Sequence, residues 1–172
     1  MANSYRLFLA LWPDDEVCNK LISFLKQPSI TSCSGKPVAT ENLHITLRYI
    51  GSVDETTLAA IEEAMARVVF PSFELQLDYQ GYWSRPRVAW LGCRKVPEAL
   101  QQLVADIEST LTSCGIEPES RPYVPHLTFM RKIRQFPAAD ISPINWPVDS
   151  FVLVHSETFP DSVRYTVLKR WP

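Results

Sequence analysis

The feature of this chain that most constrains its fold is a short motif that occurs twice. His44-Ile45-Thr46-Leu47 and His126-Leu127-Thr128-Phe129 share the order His, apolar, Thr, apolar, and each follows a polar, turn-like stretch. In a β-strand, residues i and i+2 point to the same face. Each motif therefore predicts a strand that presents an imidazole and a hydroxyl side by side and turns its apolar residues toward a core.

The elements around the two motifs recur in the same order. A strand near Tyr5–Leu11 and a helix near residues 14–26 precede the first motif, and a strand near residues 87–93 and a helix from about Leu100 to Leu111 precede the second. The two histidines are separated by 126 − 44 = 82 residues. This order predicts two pseudo-symmetric modules that set the two His-x-Thr strands face to face. Since no low-complexity linker separates the halves, we expect one bilobal α+β domain over residues 1–172.

The remaining elements follow from hydrophobic periodicity. Ser52 and Glu55 have the spacing of a capping box and predict a helix that begins at Ser52. Its apolar positions recur at helical spacing, and Gly115 is placed to end the later helix. Alternation and β-branched content predict further strands over residues 73–77, 151–156 and 164–169.

Composition and motif content narrow the function classes. A net charge of −2 gives no global attraction to nucleic acid, so any RNA contact must be local. Four cysteines without CxxC spacing are typical of reduced thiols in a cytoplasmic protein. The apolar run over residues 7–12 is too short for a membrane span. No metal-ligand spacing borders either motif, and the phosphate-binding GxxxxGK[ST] and nucleophile-elbow GxSxG patterns are absent.

Paired histidines favour acid–base chemistry. Because histidine changes charge near neutral pH, one can act as a base while the other acts as an acid, a division that suits reactions at phosphorus. Thr46 and Thr128 can donate hydrogen bonds to non-bridging phosphate oxygens. Arg131 follows the second motif, but strand parity puts it on the face opposite His126 unless the strand bends or ends at Met130. The sequence does not decide which histidine is the acid.

Other residues near the motifs have competing interpretations. Arg48 has the right parity to join His44, or it marks the rim of the site. His155 lacks a threonine two positions later and is predicted to be a packed or exposed strand residue. Tyr49, Tyr123 and Trp83 can stack on a nucleobase, although core or surface packing is the favoured interpretation for any one of them.

The chain resembles a known family, the two-histidine phosphoesterases, and within it the bacterial and archaeal RNA 2′,3′-cyclic phosphodiesterases first described as 2′-5′ RNA ligases. The paired motifs about eighty residues apart carry this resemblance, which extends over nearly the whole chain. The matching stretches are Asn42-Leu43-His44-Ile45-Thr46-Leu47, Arg87-Val88-Ala89-Trp90-Leu91-Gly92, Arg121-Pro122-Tyr123-Val124-Pro125-His126-Leu127-Thr128-Phe129-Met130-Arg131 and Arg164-Tyr165-Thr166-Val167-Leu168-Lys169-Arg170-Trp171.

The resemblance implies two β-α-β-type modules with antiparallel sheets around a central cleft. It implies hydrolysis of an RNA terminal 2′,3′-cyclic phosphate to a 2′-phosphate, with no metal and no cofactor. His126 would be the proton acceptor, His44 the proton donor, and Thr46, Thr128 and Arg131 would bind the phosphate. Ligation to a 2′-5′ linkage would be a minor reaction.

The expected partners are RNA 3′ ends that bear a cyclic phosphate, and we expect a cytoplasmic monomer that does not bind membranes. Two alternatives stay open at this point. The substrate can instead be a small nucleotide or ADP-ribose cyclic phosphate, or the protein can be an RNA-end binding module without turnover.

Overall fold

The computed structural model describes residues 4–136 and 140–172. The predicted domain bounds of 1–172 extend over residues 1–3 and 137–139, which lie outside the described part. The strands are β1 (Tyr5–Leu11), β2 (Lys36–Pro37), β3 (Ile45–Val53), β4 (Phe73–Leu77), β5 (Tyr79–Trp83), β6 (Val88–Gly92), β7 (Leu127–Arg131), β8 (Ile144–Val148), β9 (Phe151–Thr158) and β10 (Val163–Trp171). The helices are α1 (Asp15–Leu25), α2 (Pro28–Thr31), α3 (Glu55–Met65) and α4 (Glu98–Ser113), with a 3₁₀ turn at Thr40–Asn42.

Antiparallel pairing joins most strands into one sheet of order β10-β9-β1-β3-β7-β6-β5, with β2 added beside β7. Strands β4 and β8 form a separate two-stranded sheet. The two halves of the large sheet meet at one residue pair, Ile45 opposite Leu127. This arrangement confirms the α+β class with antiparallel sheets. The two motif strands adjoin in one sheet rather than facing each other from separate sheets, and a relation of the halves by a pseudo-two-fold axis stays a prediction.

The two faces of the large sheet have different neighbours. On one face, Leu7, Leu9 and Leu11 of β1 are fully buried in the main core. Helices α1 and α4 contribute to the same core. Of the five apolar positions predicted for α4, Val104 is partly buried against the core and the other four are fully buried, namely Leu100, Leu103, Ile107 and Leu111. Each buried leucine contributes roughly 1.5–3 kcal/mol to folding. The opposite face carries a smaller apolar cluster around Phe8 and Ala10, and this is the face on which the motif side chains lie.

Some local elements differ from the sequence predictions. The N-cap of helix α3 is Asp54, two residues after Ser52, and the Asp54 carboxylate accepts a 2.8 Å hydrogen bond from the backbone N–H of Thr57. Ser52 is still in β3, opposite Arg6. The prediction of a helix start at Ser52 is therefore wrong. Gly115 follows α4 with φ of +82°, a left-handed conformation that glycine adopts without strain.

Two further observations concern the cysteines and the length of the helices. All four cysteines are free thiols. Among the residues that the structure describes, no helix is both long and apolar enough to cross a membrane.

Candidate active site

Both motif histidines are held in the same way. The Nδ1 atom of His44 lies 2.7 Å from the carbonyl oxygen of Asn42, and Nδ1 of His126 lies 2.8 Å from the carbonyl oxygen of Val124. A carbonyl oxygen only accepts hydrogen bonds, so each Nδ1 carries a proton and donates it. In the neutral imidazole the lone pair is therefore on Nε2. Each ring presents Nε2 as the nitrogen that can accept or deliver a proton.

The threonines lie on the same strand face as their histidines, as the sequence predicts. Ile45 and Leu127 point the other way and are fully buried in the core, whereas Thr46 and Thr128 are partly exposed. The Thr46 hydroxyl oxygen is 3.1 Å from Nε2 of His44. The pairing of Ile45 with Leu127 joins the two strands at the motifs themselves. The structure thus brings both His-x-Thr pairs to one face of one sheet.

Arg131 reaches this face because β7 contains a bulge. Trp90 of β6 is opposite Thr128 and Val88 is opposite Arg131, so three residues of β6 lie opposite four residues of β7. The extra residue reverses the alternation of side chains beyond it. Arg131 therefore shares a face with Thr128, and the parity objection drawn from the sequence is removed.

A similar irregularity takes Arg48 away from the site. In β3, Thr46 is opposite Ala10 and Arg48 is opposite Leu9, so the register shifts by one residue between them. Arg48 consequently lies on the helix side of the sheet, where its Nε is 2.6 Å from Oε2 of Glu108 in α4. Its guanidinium also donates to the carbonyl oxygens of Tyr49 and Glu117. Arg48 connects β3 to α4 and to the loop after it, and it does not line the site.

The electrostatics of the site favour neutral imidazoles in the free protein. Burial lowers the pKa of His44 to about 4, and the nearby positive charge of Arg131 and of His126 acts in the same direction, against the hydrogen bond to Asn42. Burial also lowers the pKa of His126, again with Arg131 contributing and the Val124 carbonyl opposing. Because Arg131 affects both histidines, its charge acts on the space that they share.

Aromatic rings enclose both imidazoles. On the β1 side, Trp12 stacks on His44 with ring centres 5.4 Å apart and an interplanar angle of 9°. Tyr165 meets His44 edge-on at 5.3 Å. On the other side, Trp83 contacts His126 at 4.6 Å. These rings account for much of the burial of the imidazoles. Sequence reasoning found Trp83 but missed Trp12 and Tyr165, although Trp12 continues the β1 alternation of Phe8 and Ala10.

The remaining residues that the sequence analysis named lie outside the site formed by the two histidines and their threonines. His155 is opposite Leu7 and packs against Tyr5 with ring centres 5.4 Å apart, which agrees with its predicted strand role. Tyr49 accepts a 2.9 Å hydrogen bond from Nε of Arg6. The Tyr123 side chain packs against the main core. Within the described residues, no group of three or more His, Cys, Asp or Glu side chains is arranged to hold a metal ion.

Comparison with known proteins agrees with this geometry. A family model described as the 2′-5′ RNA ligase superfamily matches residues 13–158. The chain belongs to this superfamily. It is 35% identical over 175 residues to the RNA 2′,3′-cyclic phosphodiesterase of Escherichia coli strain K12, a match that covers 99% of this chain and 98% of the relative.

Solved structures of the superfamily share the fold. The apo form of E. coli LigT is similar with a TM-score of 0.85 and 34% identity, covering 99% of this chain and 98% of that one. E. coli LigT complexed with 3′-AMP is similar with a TM-score of 0.82 and 34% identity, covering 98% of each chain. The resemblance drawn from the four sequence stretches is confirmed.

Proposed function

We propose that this protein hydrolyses the 2′,3′-cyclic phosphate at RNA 3′ ends to a 2′-phosphate. One observation carries the proposal. Two imidazoles, each with Nδ1 held by a carbonyl oxygen and Nε2 left to react, lie on adjacent strands of one sheet face. The full-length relative from E. coli is named for this activity. A module that only binds RNA ends does not need two imidazoles that each present a free Nε2 for proton transfer.

The proposed mechanism assigns one proton transfer to each histidine. Nε2 of His126 takes a proton from water as the water oxygen bonds to phosphorus. Nε2 of His44 gives a proton to the 3′ oxygen as its bond to phosphorus breaks. The 2′ oxygen keeps the phosphate. This division follows the family resemblance, and each transfer contributes on the order of 10²–10⁴ in rate.

Binding of the phosphate anion changes the protonation state of the histidines in this proposal. At pH 7 the lowered pKa values leave both imidazoles neutral in the free protein. A bound anion favours the charged form of a nearby imidazole and so raises its pKa. We infer that His44 gains its proton when the substrate binds.

Three further residues hold the phosphate in this proposal. Thr46 and Thr128 donate hydrogen bonds to its non-bridging oxygens, each contributing about 1.5–3 kcal/mol when the acceptor is charged. Arg131 adds a positive charge on the same face, beyond the bulge in β7. Neither a metal nor a cofactor takes part. We further propose a single-domain, monomeric, cytoplasmic enzyme.

The same site accommodates two variations. If the 5′-hydroxyl of a second RNA replaces water, the product is a 2′-5′ linkage, and we propose this ligation as a minor reaction. A small cyclic nucleotide is the alternative substrate, which is supported by the E. coli relative that was solved with 3′-AMP.

The test is product analysis with RNA that ends in a 2′,3′-cyclic phosphate, incubated in EDTA. We expect a 2′-phosphate, with loss of most activity in His44→Ala and in His126→Ala and retention in His155→Ala, the matched control from the third histidine. A 3′-phosphate product would reverse the assignment of the leaving oxygen, and absence of product would refute the proposed activity.

A further inference from the structure

A dense group of cations lies at the end of β7 that is farther from the motif histidines. Three short segments supply it, namely β2, the turn between β5 and β6, and the end of β7 with the residues after it. We call this group the basic end. Its members are Lys36, Arg85, Arg87, Arg131, Lys132 and Arg134, all of them exposed.

Backbone contacts bring the three segments together. Lys36 is directly opposite Arg131 in the antiparallel pairing of β2 with β7, so the two side chains share a face. Val88, next to Arg87, is opposite Arg131 from the other side. The backbone N–H of Ile133 donates a 3.2 Å hydrogen bond to the carbonyl oxygen of Arg87. The three segments that carry the six exposed cations therefore lie side by side at this end of the sheet.

This surface has no compensating negative charge nearby in the sequence. Residues 34–38, 84–88 and 130–135 contain neither Asp nor Glu. The ion pairs between described residues involve Lys20, Arg48, Arg67 and Arg121, and none of the six cations of the basic end. Six of the 17 lysines and arginines are thus concentrated in one place in a chain whose net charge is −2. Such a concentration attracts a polyanion locally, although the whole protein does not.

Two members occupy costly backbone conformations. Arg87 has φ of +53° and Lys132 has φ of +57°, in the left-handed region that glycine and asparagine adopt more easily. Residues held in this conformation are energetically costly and cluster at functional sites. The two residues are neighbours in space, because Ile133, which follows Lys132, donates its backbone N–H to the carbonyl oxygen of Arg87. Cations in place of glycine at both positions support a binding role for this surface.

The basic end is continuous with the proposed active site. Arg131 belongs to both, because it is opposite Lys36 of β2 and the bulge in β7 puts it on the same face as Thr128. The β9–β10 edge of the sheet has mixed charge, because Glu157 of β9 is opposite Arg164 of β10.

We propose that the basic end binds the backbone phosphates of the RNA strand on the 5′ side of the terminal nucleotide. This inference rests on the proposed hydrolysis of RNA ends and adds the direction in which the substrate strand leaves the site. It makes the enzyme selective for an oligonucleotide over a mononucleotide, because a mononucleotide has no upstream phosphates. In this proposal Lys36 and Arg131 bind the phosphate nearest the terminal nucleotide, and the remaining cations bind the phosphates farther along the strand.

The test compares kcat/KM on a pentanucleotide with a 2′,3′-cyclic phosphate end and on the corresponding mononucleotide. The test variant removes one cation from each segment, Lys36→Ala, Arg85→Ala and Arg134→Ala together. The control variant removes three exposed cations elsewhere, Lys95→Ala, Arg164→Ala and Lys169→Ala, for the same change in net charge. We expect the ratio of pentanucleotide to mononucleotide kcat/KM to fall at least tenfold in the test variant and less than twofold in the control.

Salt dependence gives a second readout. For single strands the logarithm of affinity falls with the logarithm of salt concentration by about 0.7 for each phosphate neutralised. Loss of three cations should therefore reduce the slope measured with the pentanucleotide by about 2. The proposed binding of RNA by the basic end is overturned if the test variant leaves the kcat/KM ratio unchanged or lowers kcat/KM equally on both substrates. It is also overturned if the control variant lowers the ratio as much as the test variant does. If the unaltered protein hydrolyses neither substrate, the proposed function itself has failed.

Discussion

The Thr46 hydroxyl lies 3.1 Å from Nε2 of His44, the nitrogen proposed to protonate the leaving oxygen. The Thr46 hydroxyl therefore donates a hydrogen bond to this nitrogen before a substrate arrives, and it can donate to a phosphate oxygen once the substrate is bound. Replacing Thr46 by valine keeps the shape and removes the hydroxyl. We expect kcat/KM to fall about 10- to 100-fold, which corresponds to about 1.5–3 kcal/mol. Thr46→Ser, the matched control, should retain most activity, and a valine variant as active as the serine variant would contradict this role.

Arg131 and Arg48 provide a matched pair of arginine variants. Each arginine lies beyond a register shift, but on opposite faces of the sheet. Arg131→Ala should lower kcat/KM about 10- to 100-fold, since it removes a charge beside the phosphate. Arg48→Ala should leave kcat/KM within about twofold and lower the free energy of unfolding by about 2 kcal/mol, because it removes the guanidinium that pairs with Oε2 of Glu108. Steady-state kinetics and urea unfolding separate the two effects, and the reverse pattern would refute the assignment.

The contrast between these arginines shows where sequence reasoning ends. Strand β1 follows from a continuous apolar run and the faces of the two motifs follow from local alternation, and the structure places them as predicted. The bulges do not follow, because a register shift depends on the partner strand rather than on the sequence of the bulged strand itself. Simple parity consequently misplaced both arginines.

Elements with weak local signals were also missed. Strand β5 contains Gly81, and a Cβ there would lie 2.1 Å from the Trp90 ring, so the residue is explained only by its neighbour across the pair. Strand β8 contains Pro147, which argues against a strand in sequence analysis. Its pairing with β4 in a two-stranded sheet, where both strands have a free edge, accommodates the proline.

Acid should destabilise the protein through His44. Its pKa is lowered from 6.5 to about 4 on folding, so below pH 6.5 the unfolded chain binds more protons than the native one. Stability is therefore complete above pH 6.5 and is lost as the pH falls toward 4. The loss is up to about 3 kcal/mol between pH 7 and pH 4.

Urea unfolding at pH 7, 5.5 and 4 measures this contribution by comparison with His44→Gln, which cannot titrate. We expect the unaltered protein to lose more stability on acidification than the variant. Parallel pH curves for the two proteins would show that His44 is not neutral and buried in the native state.

Anion binding should be accompanied by proton uptake at pH 7. Both imidazoles have lowered pKa values in the free protein, and an anion between them raises those values. Sulfate is a suitable probe because it does not titrate near neutral pH. Calorimetric titration in buffers of different ionisation enthalpy should reveal uptake of up to about one proton and tighter binding at pH 6 than at pH 8. Binding without proton uptake, or binding that weakens as the pH falls, would contradict the proposed charging of the site.

The central claim is that His44 and His126 address one phosphate with their Nε2 atoms. The protein has three histidines, so nitrogen-detected NMR of the imidazoles resolves each of them and supplies His155 as an internal control. In the free protein, His44 and His126 should both show protonated Nδ1 and unprotonated Nε2. On addition of a non-hydrolysable cyclic-phosphate analogue, the Nε2 signals of both should shift while those of His155 stay unchanged. A shift at only one of the two motif histidines, or the opposite tautomer at either, would contradict the account.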